Sequence, residues 1–220
     1  MATLDTEKIV AAVRINLDEI GLNDGDFDAS EDEKELDTII EQKIPWAYAF
    51  VVGHCDRNLL GSGMVTTGTA TGGKVDTNNV STNPATLTTG GKVLRFVYAY
   101  SANLDNLVYE AIMWDTPEYA RLKRMNTTGS KERPLVGIRP DVNKNNDVIE
   151  VYGCTSASVA YVEDPTESTS DVELSDALYA AFIYYLTSLT LLTLHESKHA
   201  EDMLGQALVM MGVDTTKVSQ

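Results

Sequence analysis

Apolar side chains recur at helical spacing through the first sixty residues. Ile9, Val13, Leu17 and Ile20 fall on one face behind Thr6, which can cap a helix that Gly21 would stop. The acidic run Asn23-Asp24-Gly25-Asp26 predicts a loop, and Ser30 with Glu33 three residues later predicts a capping box for a second helix carrying Leu36, Ile39, Ile40 and Ile44. Pro45 should kink or restart that helix, and the apolar density of 46–60 predicts a third one packed on the first two. At residue 61 the pattern changes. Residues 61–92 are dominated by Thr and Gly with almost no large apolar side chain, so the tract cannot form a core of its own. It is either a flexible loop or a long hairpin arm ordered by neighbouring subunits, and its β-branched threonines favour the arm. Residues 93–100 are a dense run of β-formers, and 147–154 and 158–162 add short strands, which together predict a small antiparallel sheet. Residues 103–112 fit a helix through Leu104, Leu107, Val108 and Ile112, or a strand edge.

A long helix is predicted from about Ser175 to about Met211, after Asp171 and Glu173, which favour a helix N-terminus. Leu178, Phe182, Tyr185, Leu189 and Leu192 make one apolar face, and Tyr179, Ile183, Leu186, Leu191 and Leu194 make another. A helix apolar nearly all round needs cover on more than one side. The N-terminal helices and a neighbouring subunit are the simplest cover, which predicts an oligomer. The expected fold is α+β: a helical bundle of N-terminal helices plus the long C-terminal helix, with an inserted small antiparallel β region and extended loops. The expected segments are bundle helices over 1–60, the arm or loop over 61–92, the β-rich insertion over 93–165, the long helix over 171–212 and a tail over 213–220.

With 43% hydrophobic residues over 220 positions, the chain can bury one substantial core. The polar opening Ala2-Thr3-Leu4-Asp5 predicts no secretory signal. Tyr184, Tyr185, Thr187, Ser188, Thr190 and Thr193 dilute the apolar run 177–194, so it reads as a buried or interface helix and no membrane partner is expected. Cys55 and Cys154 are too few for a disulfide framework and read as free, buried thiols. The formal charge of −16 argues against wrapping nucleic acid, although an acidic wall lets a duplex slide past without sticking.

Three motifs suggest chemistry. The run Asp24 to Asp28 offers alternating carboxylates, but an EF-hand loop counted from Asp24 has Ala29 where its turn glycine belongs, which leaves a solvated helix-start loop. Gly72-Gly73-Lys74 and Gly90-Gly91-Lys92 lack the hydroxyl residue after Lys and the preceding glycine of a phosphate loop. His195-Glu196-Ser197-Lys198-His199 is a literal H-E-x-x-H, whose histidines at i and i+4 could share a zinc ion while the glutamate activates water. No third histidine follows, Glu201 and Asp202 sit too close on the same helix to close a site, and Lys198 would put a cation beside the metal. The pair His195 and His199 therefore reads as a polar helix end, with a zinc hydrolase as the alternative. No G-x-S-x-G is present, and no cofactor is expected.

The most distinctive stretch is 109–134, YEAIMWDTPEYARLKRMNTTGSKERP. Trp114, Pro117 and Tyr119 are large and stiff, and Arg121, Lys123, Arg124, Lys131 and Arg133 place five of the 17 basic residues within thirteen positions of an otherwise acidic chain. Such a segment suits docking on another acidic copy or a different acidic partner. Trp114 with Asp-Thr-Pro-Glu-Tyr at 115–119, then Asn126-Thr127-Thr128-Gly129, Lys131-Glu132-Arg133-Pro134 and the extended 135–138, resembles the head-to-tail connector (adaptor or ring) proteins of tailed bacteriophages, closest to those of Bacteroides and crAss-like phages. The Thr/Gly tract departs from the compact members of that family. The resemblance implies a structural, non-enzymatic virion protein of the phage neck, assembled in the host bacterial cytoplasm. It further implies a homo-oligomeric ring, typically of twelve copies, that binds the portal protein and the next tail or ring protein while DNA passes through its lumen. In that reading the segment 109–134 and the arm contact neighbouring subunits or rings. Another virion subunit, for capsid decoration or tail completion, is the alternative from the same composition.

Overall fold

The computed structural model describes residues 2–3, 5–19, 32–104, 106–122, 129–142, 145–164 and 173–213. The fold is mixed α+β, with five α-helices among these residues and strand pairs that are antiparallel in every case but one. The chain divides into two compact units: residues 1–64 with 167–220, and residues 65–166. The acidic run from Asp24 and the capping box at Ser30 lie outside the described residues.

The first unit is helical. In α1 (Thr6–Glu19), Ile9, Val13 and Leu17 are buried, as their spacing predicts. The Asp5 carboxylate accepts the Glu7 amide at 3.2 Å, so Asp5 caps the first turn where Thr6 was expected to. The Lys8 ammonium beside it holds the Asp5 carboxyl below its ordinary value. α2 (Asp32–His54) corrects the expectation of two helices, because it runs unbroken through Pro45. Pro45 and Glu41, the residue whose carbonyl loses its intrahelical donor, are both exposed, so water can satisfy that carbonyl and the helix need not stop. Beyond His54 the chain leaves the helix and makes a short 3₁₀ turn (Arg57–Leu59), where the Asp56 carboxylate accepts the Asn58 amide at 2.9 Å.

Polar ties link the helices. Arg14 of α1 donates from Nε to Asp37 of α2 at 2.9 Å, and Asn16 donates to the Thr187 hydroxyl of α4 (Asp176–Thr193) at 3.1 Å. α4 packs against α1, α2 and α5 (Ser197–Met210), which explains why its apolar residues extend round most of its circumference. A two-residue strand, β1 (Ala2–Thr3), pairs with β11 (Glu173–Leu174) ahead of α4. No helix among the described residues is long and apolar enough to cross a membrane.

The single C-terminal helix expected from 171 to 212 is instead two. α4 ends on Leu194, and His195 takes a left-handed conformation with φ of 65°. The Glu196 amide then donates to the Leu191 carbonyl at 2.9 Å and the His195 amide to Leu192 at 3.3 Å, the paired bonds of a Schellman stop. The polar run after Leu194 supplies no apolar residue to continue the buried stripe, and the chain turns there. α5 folds back on α4, where the Ser188 hydroxyl donates to the Ala200 carbonyl at 2.8 Å.

The second unit is built from strands. One sheet has the order β2 (Thr66–Ala70), β10 (Ala157–Glu163), β6 (Val93–Tyr100). The other has the order β5 (Ala85–Thr88), β9 (Asp147–Tyr152), β8 (Leu135–Pro140), β7 (Ile112–Met113), with β7 parallel to β8. Thr71 bridges Thr86 between β2 and β5, and Ala99 bridges Val108 beyond β6, so pairing runs almost continuously around one core. That core takes Phe96, Ile138, Ile149, Val151, Val159 and Tyr161 from the longer strands, and small Ala70, Ala85, Ala99 and Ala157 where the sheets come close.

The tract 61–92 is therefore not an arm. Its threonine strands β2 and β5 pair with the apolar β10 and β9, and the hairpin of β3 (Lys74–Val75) and β4 (Ser81–Asn83) lies between them in sequence. The tract lacks apolar side chains because one face of each strand is solvated and Ala70 and Ala85 suffice on the other. The β region is correspondingly larger than the small antiparallel sheet expected, and within 103–112 the strand-edge reading holds, through Val108.

The His195 conformation favours glycine, so His195→Gly is expected to stabilise the protein by about 0.5–1 kcal/mol and β-branched His195→Val to destabilise it by about 1 kcal/mol or more. Urea unfolding followed by far-ultraviolet circular dichroism checks both signs.

Candidate functional site

The stretch 109–122 is positioned by a short helix lying on the second unit's four-stranded sheet. After β7 the chain turns at Thr116, whose hydroxyl donates to the Met113 carbonyl at 2.6 Å, and Pro117 opens α3 (Pro117–Leu122), where its missing amide costs nothing. α3 buries Tyr119 and Leu122 against Tyr152, with Ile112 and Leu135 beside them. Close approach requires Gly137, because a Cβ there would stand 2.9 Å from the Tyr119 ring.

Across the β8–β9 ladder from Gly137 is Glu150. The residue is almost wholly buried, at 5% exposure, and three elements supply its partners. Tyr119 on α3 and Tyr152 on β9 each donate a hydroxyl to Oε2 at 2.9 Å, and Arg139 on β8 donates from Nε to Oε1 at 2.7 Å. A buried carboxylate without such donors would be strongly unfavourable. Burial, and then the adjacent Glu150 carboxylate, pushes both tyrosine hydroxyls above their ordinary value, and the hydrogen bond to Glu150 raises Arg139. Elsewhere in the unit, burial and the charge of Glu163 push Tyr161 up to about 12.

Arg139, Glu150, Tyr152 and Leu122 also line a cleft of about 700 Å³, closed on its other side by the β3–β4 hairpin through Asp76, Ser81 and Asn83. Several of its polar side chains bond to the hairpin backbone or to one another. The Asp76 carboxylate accepts the amides of Asn78 and Val80, Ser81 donates to the Asn83 carbonyl, and Glu150 holds three donors. No buried side-chain polar atom among the described residues lacks a partner. The buried part of the cleft wall is thus a satisfied hydrogen-bond network centred on Glu150.

Trp114 is 55% exposed, beside exposed Met113, and Leu107 and Tyr109 are exposed on the approach to them. Tyr100 joins this surface, since the Ala99 to Val108 bridge sets it opposite Leu107. Pro117, Arg121 and Arg133 are exposed and Lys131 is half-buried. Tyr119 is corrected from a surface anchor to an interior one, because Gly137 opens a seat for its ring and Glu150 takes its hydroxyl. Lys123 and Arg124 lie outside the described residues.

The H-E-x-x-H motif does not fall on one helix. His195 occupies the left-handed break and His199 the first turn of α5, so the helical i, i+4 relation that would converge two imidazoles is lost. Among the described residues no group of three His, Cys, Asp or Glu side chains could hold a metal ion. Cys55 and Cys154 are both free and buried. No protein-family model and no curated protein matches the chain.

Glu150, Arg139 and Tyr152 read in sequence as parts of ordinary strands. The available signal was a lone carboxylate amid Val148, Ile149 and Val151 in a strand whose residues are buried from 148 to 152.

Two outcomes follow for the network. Tyr119→Phe, which removes one donor to a buried carboxylate, and Gly137→Ala, which displaces the ring, are each expected to cost about 1–3 kcal/mol in urea unfolding. The raised tyrosines also set an alkaline limit. They keep their protons in the folded state while unfolded tyrosine loses its own near pH 10, so stability is intact below pH 10 and falls as pH rises toward 12. Removing one of them, by Tyr161→Phe, should flatten the fall between pH 10 and 12 by at most about 1.4 kcal/mol per pH unit, less where solvent screens the group.

Proposed function

We propose that the chain is a structural subunit of a bacteriophage virion, a head-to-tail connector that joins the portal to the next tail component and is not an enzyme. The observation that carries this reading is an edge with four exposed apolar side chains within eight residues, Leu107, Tyr109, Met113 and Trp114, and with Tyr100 set opposite Leu107. Such exposure supports a macromolecular contact, and the tryptophan at its end is a residue type that often anchors one. The likeness of 109–138 to phage connectors names the class of partner. In this reading the four helices of the first unit form a bundle, the packed body of a ring, and the β-rich unit is an insertion that presents the docking edge. DNA passes through the lumen without sequence-specific contact, as the net charge of −16 favours by repelling phosphate. The tract 61–92 has no separate role as an arm, since its strands complete the second unit's sheets.

Mass photometry of the portal protein from the same phage, alone and with this chain added, tests the reading. The portal assembly is expected to gain one copy of the chain per portal subunit, through templating even where the free chain is monomeric. A portal of unchanged mass, with the chain still at monomer mass, overturns it.

A further inference from the structure

The charge of the chain is divided very unevenly. Residues 1–64 and 167–220 hold 22 Asp and Glu against 7 Lys and Arg, a net −15, whereas residues 65–166 hold 11 against 10, a net −1. Each unit also carries one of the chain's two tryptophans, and both are on the surface. In the second unit this is Trp114, at the end of the apolar edge already described. In the first it is Trp46 on α2, 77% exposed.

Trp46 belongs to a second apolar surface. Phe50 of α2 stacks on Tyr185 of α4 with centroids 4.1 Å apart and planes 7° from parallel. Ser175, just before α4, donates to the Leu59 carbonyl just beyond α2, so α4 runs back along α2. Trp46, one turn before Phe50, then falls level with Leu189, one turn after Tyr185, and Leu192 lies next along the same face of α4. Leu192 is 52% exposed, and Phe50, Tyr185 and Leu189 are half-buried. The seam between α2 and α4 is therefore an aromatic and aliphatic strip on the acidic unit.

We infer that copies of this chain associate head to tail, the apolar edge ending at Trp114 on one copy docking onto the α2–α4 seam at Trp46 of the next. Charge and the covering of both apolar surfaces together decide between the possible pairings. Seam against seam would press together two units of net −15. Edge against edge would bring together the nearly neutral units but leave the seam uncovered. Edge on seam covers both apolar surfaces and brings a unit of net −1, whose exposed Arg121 and Arg133 stand among the exposed Glu110, Asp115, Glu118 and Glu132, against the acidic helical unit. A contact between two different surfaces is heterologous, so repetition generates a ring where the rotation closes. This deepens the connector reading by assigning its contact between subunits, and its test needs no portal.

The test uses Trp46→Glu and Trp114→Glu in the full chain, with circular dichroism confirming the fold, and Leu192→Glu and Met113→Glu as replacements if either tryptophan variant fails to fold. Sedimentation velocity up to about 100 µM is expected to show wild-type association and at least a tenfold loss in either variant alone. The equimolar mixture should form a 1:1 dimer and nothing larger, because one intact edge then meets one intact seam. In that dimer the only tryptophans left are the two at the joint, so their emission should shift to the blue on mixing. A wild type that stays monomeric, a variant that associates as well as wild type, or a mixture that stays monomeric overturns the proposal. Portal binding by a chain that does not associate with itself would overturn this contact alone and leave the connector reading standing.

Discussion

A carboxylate buried in the middle of a β-sheet has to be surrounded by donors, and the second unit is arranged to do that for Glu150. The donors come from three separate elements, α3, β8 and β9, so the group is satisfied only when all three are in register. Hydrogen bonds to a charged group contribute roughly 1.5–3 kcal/mol each, which offsets desolvation without a large net gain. The network's effect is thus better described as specificity than as stability: an apolar cluster in its place would hold α3 on the sheet but not at one position along it. Gly137 completes the constraint by letting the Tyr119 ring lie flush on the strand. With α3 fixed in this way, the residues just before it, through Met113 and Trp114, are left at the surface.

The helices were legible wherever a single periodic stripe met a single partner, as in Ile9, Val13 and Leu17. Their continuity was not. Proline lacks a donor, so Pro45 predicts a kink or restart, but what decides the matter is whether the orphaned carbonyl can reach water, and that is a tertiary fact. Conversely, 195–199 was read as continuous because its side chains are compatible with a helix. The chain breaks there with a histidine in a conformation usually reserved for glycine, since α5 gains more by packing back on α4 than that residue loses. The same break dissolves the one enzymatic motif, which shows how far a five-residue pattern depends on the helix beneath it.

The strands were legible where their own residues are apolar and illegible where they borrow a core. β6, β9 and β10 announce themselves by composition; β2 and β5, of threonine, glycine and alanine, take their burial from strands some sixty or more positions away in the chain. Within 109–134, the charge of Arg121 and Arg133 follows from the sequence alone. The interior role of Tyr119 does not, because it depends on a glycine and a glutamate in two other strands.

The division of charge bears on how such surfaces coexist with solubility. Exposed tryptophans on a neutral protein invite indiscriminate association, but a unit of net −15 repels its equals at long range. At physiological salt that repulsion decays over about 8 Å, so it governs encounter but not the energy of a contact once made. Approach of two acidic units is slowed by this repulsion, whereas a unit of net −1 meets less of it from an acidic one. The asymmetry is carried by the distribution of Asp and Glu along the chain, independently of the shape of either apolar surface.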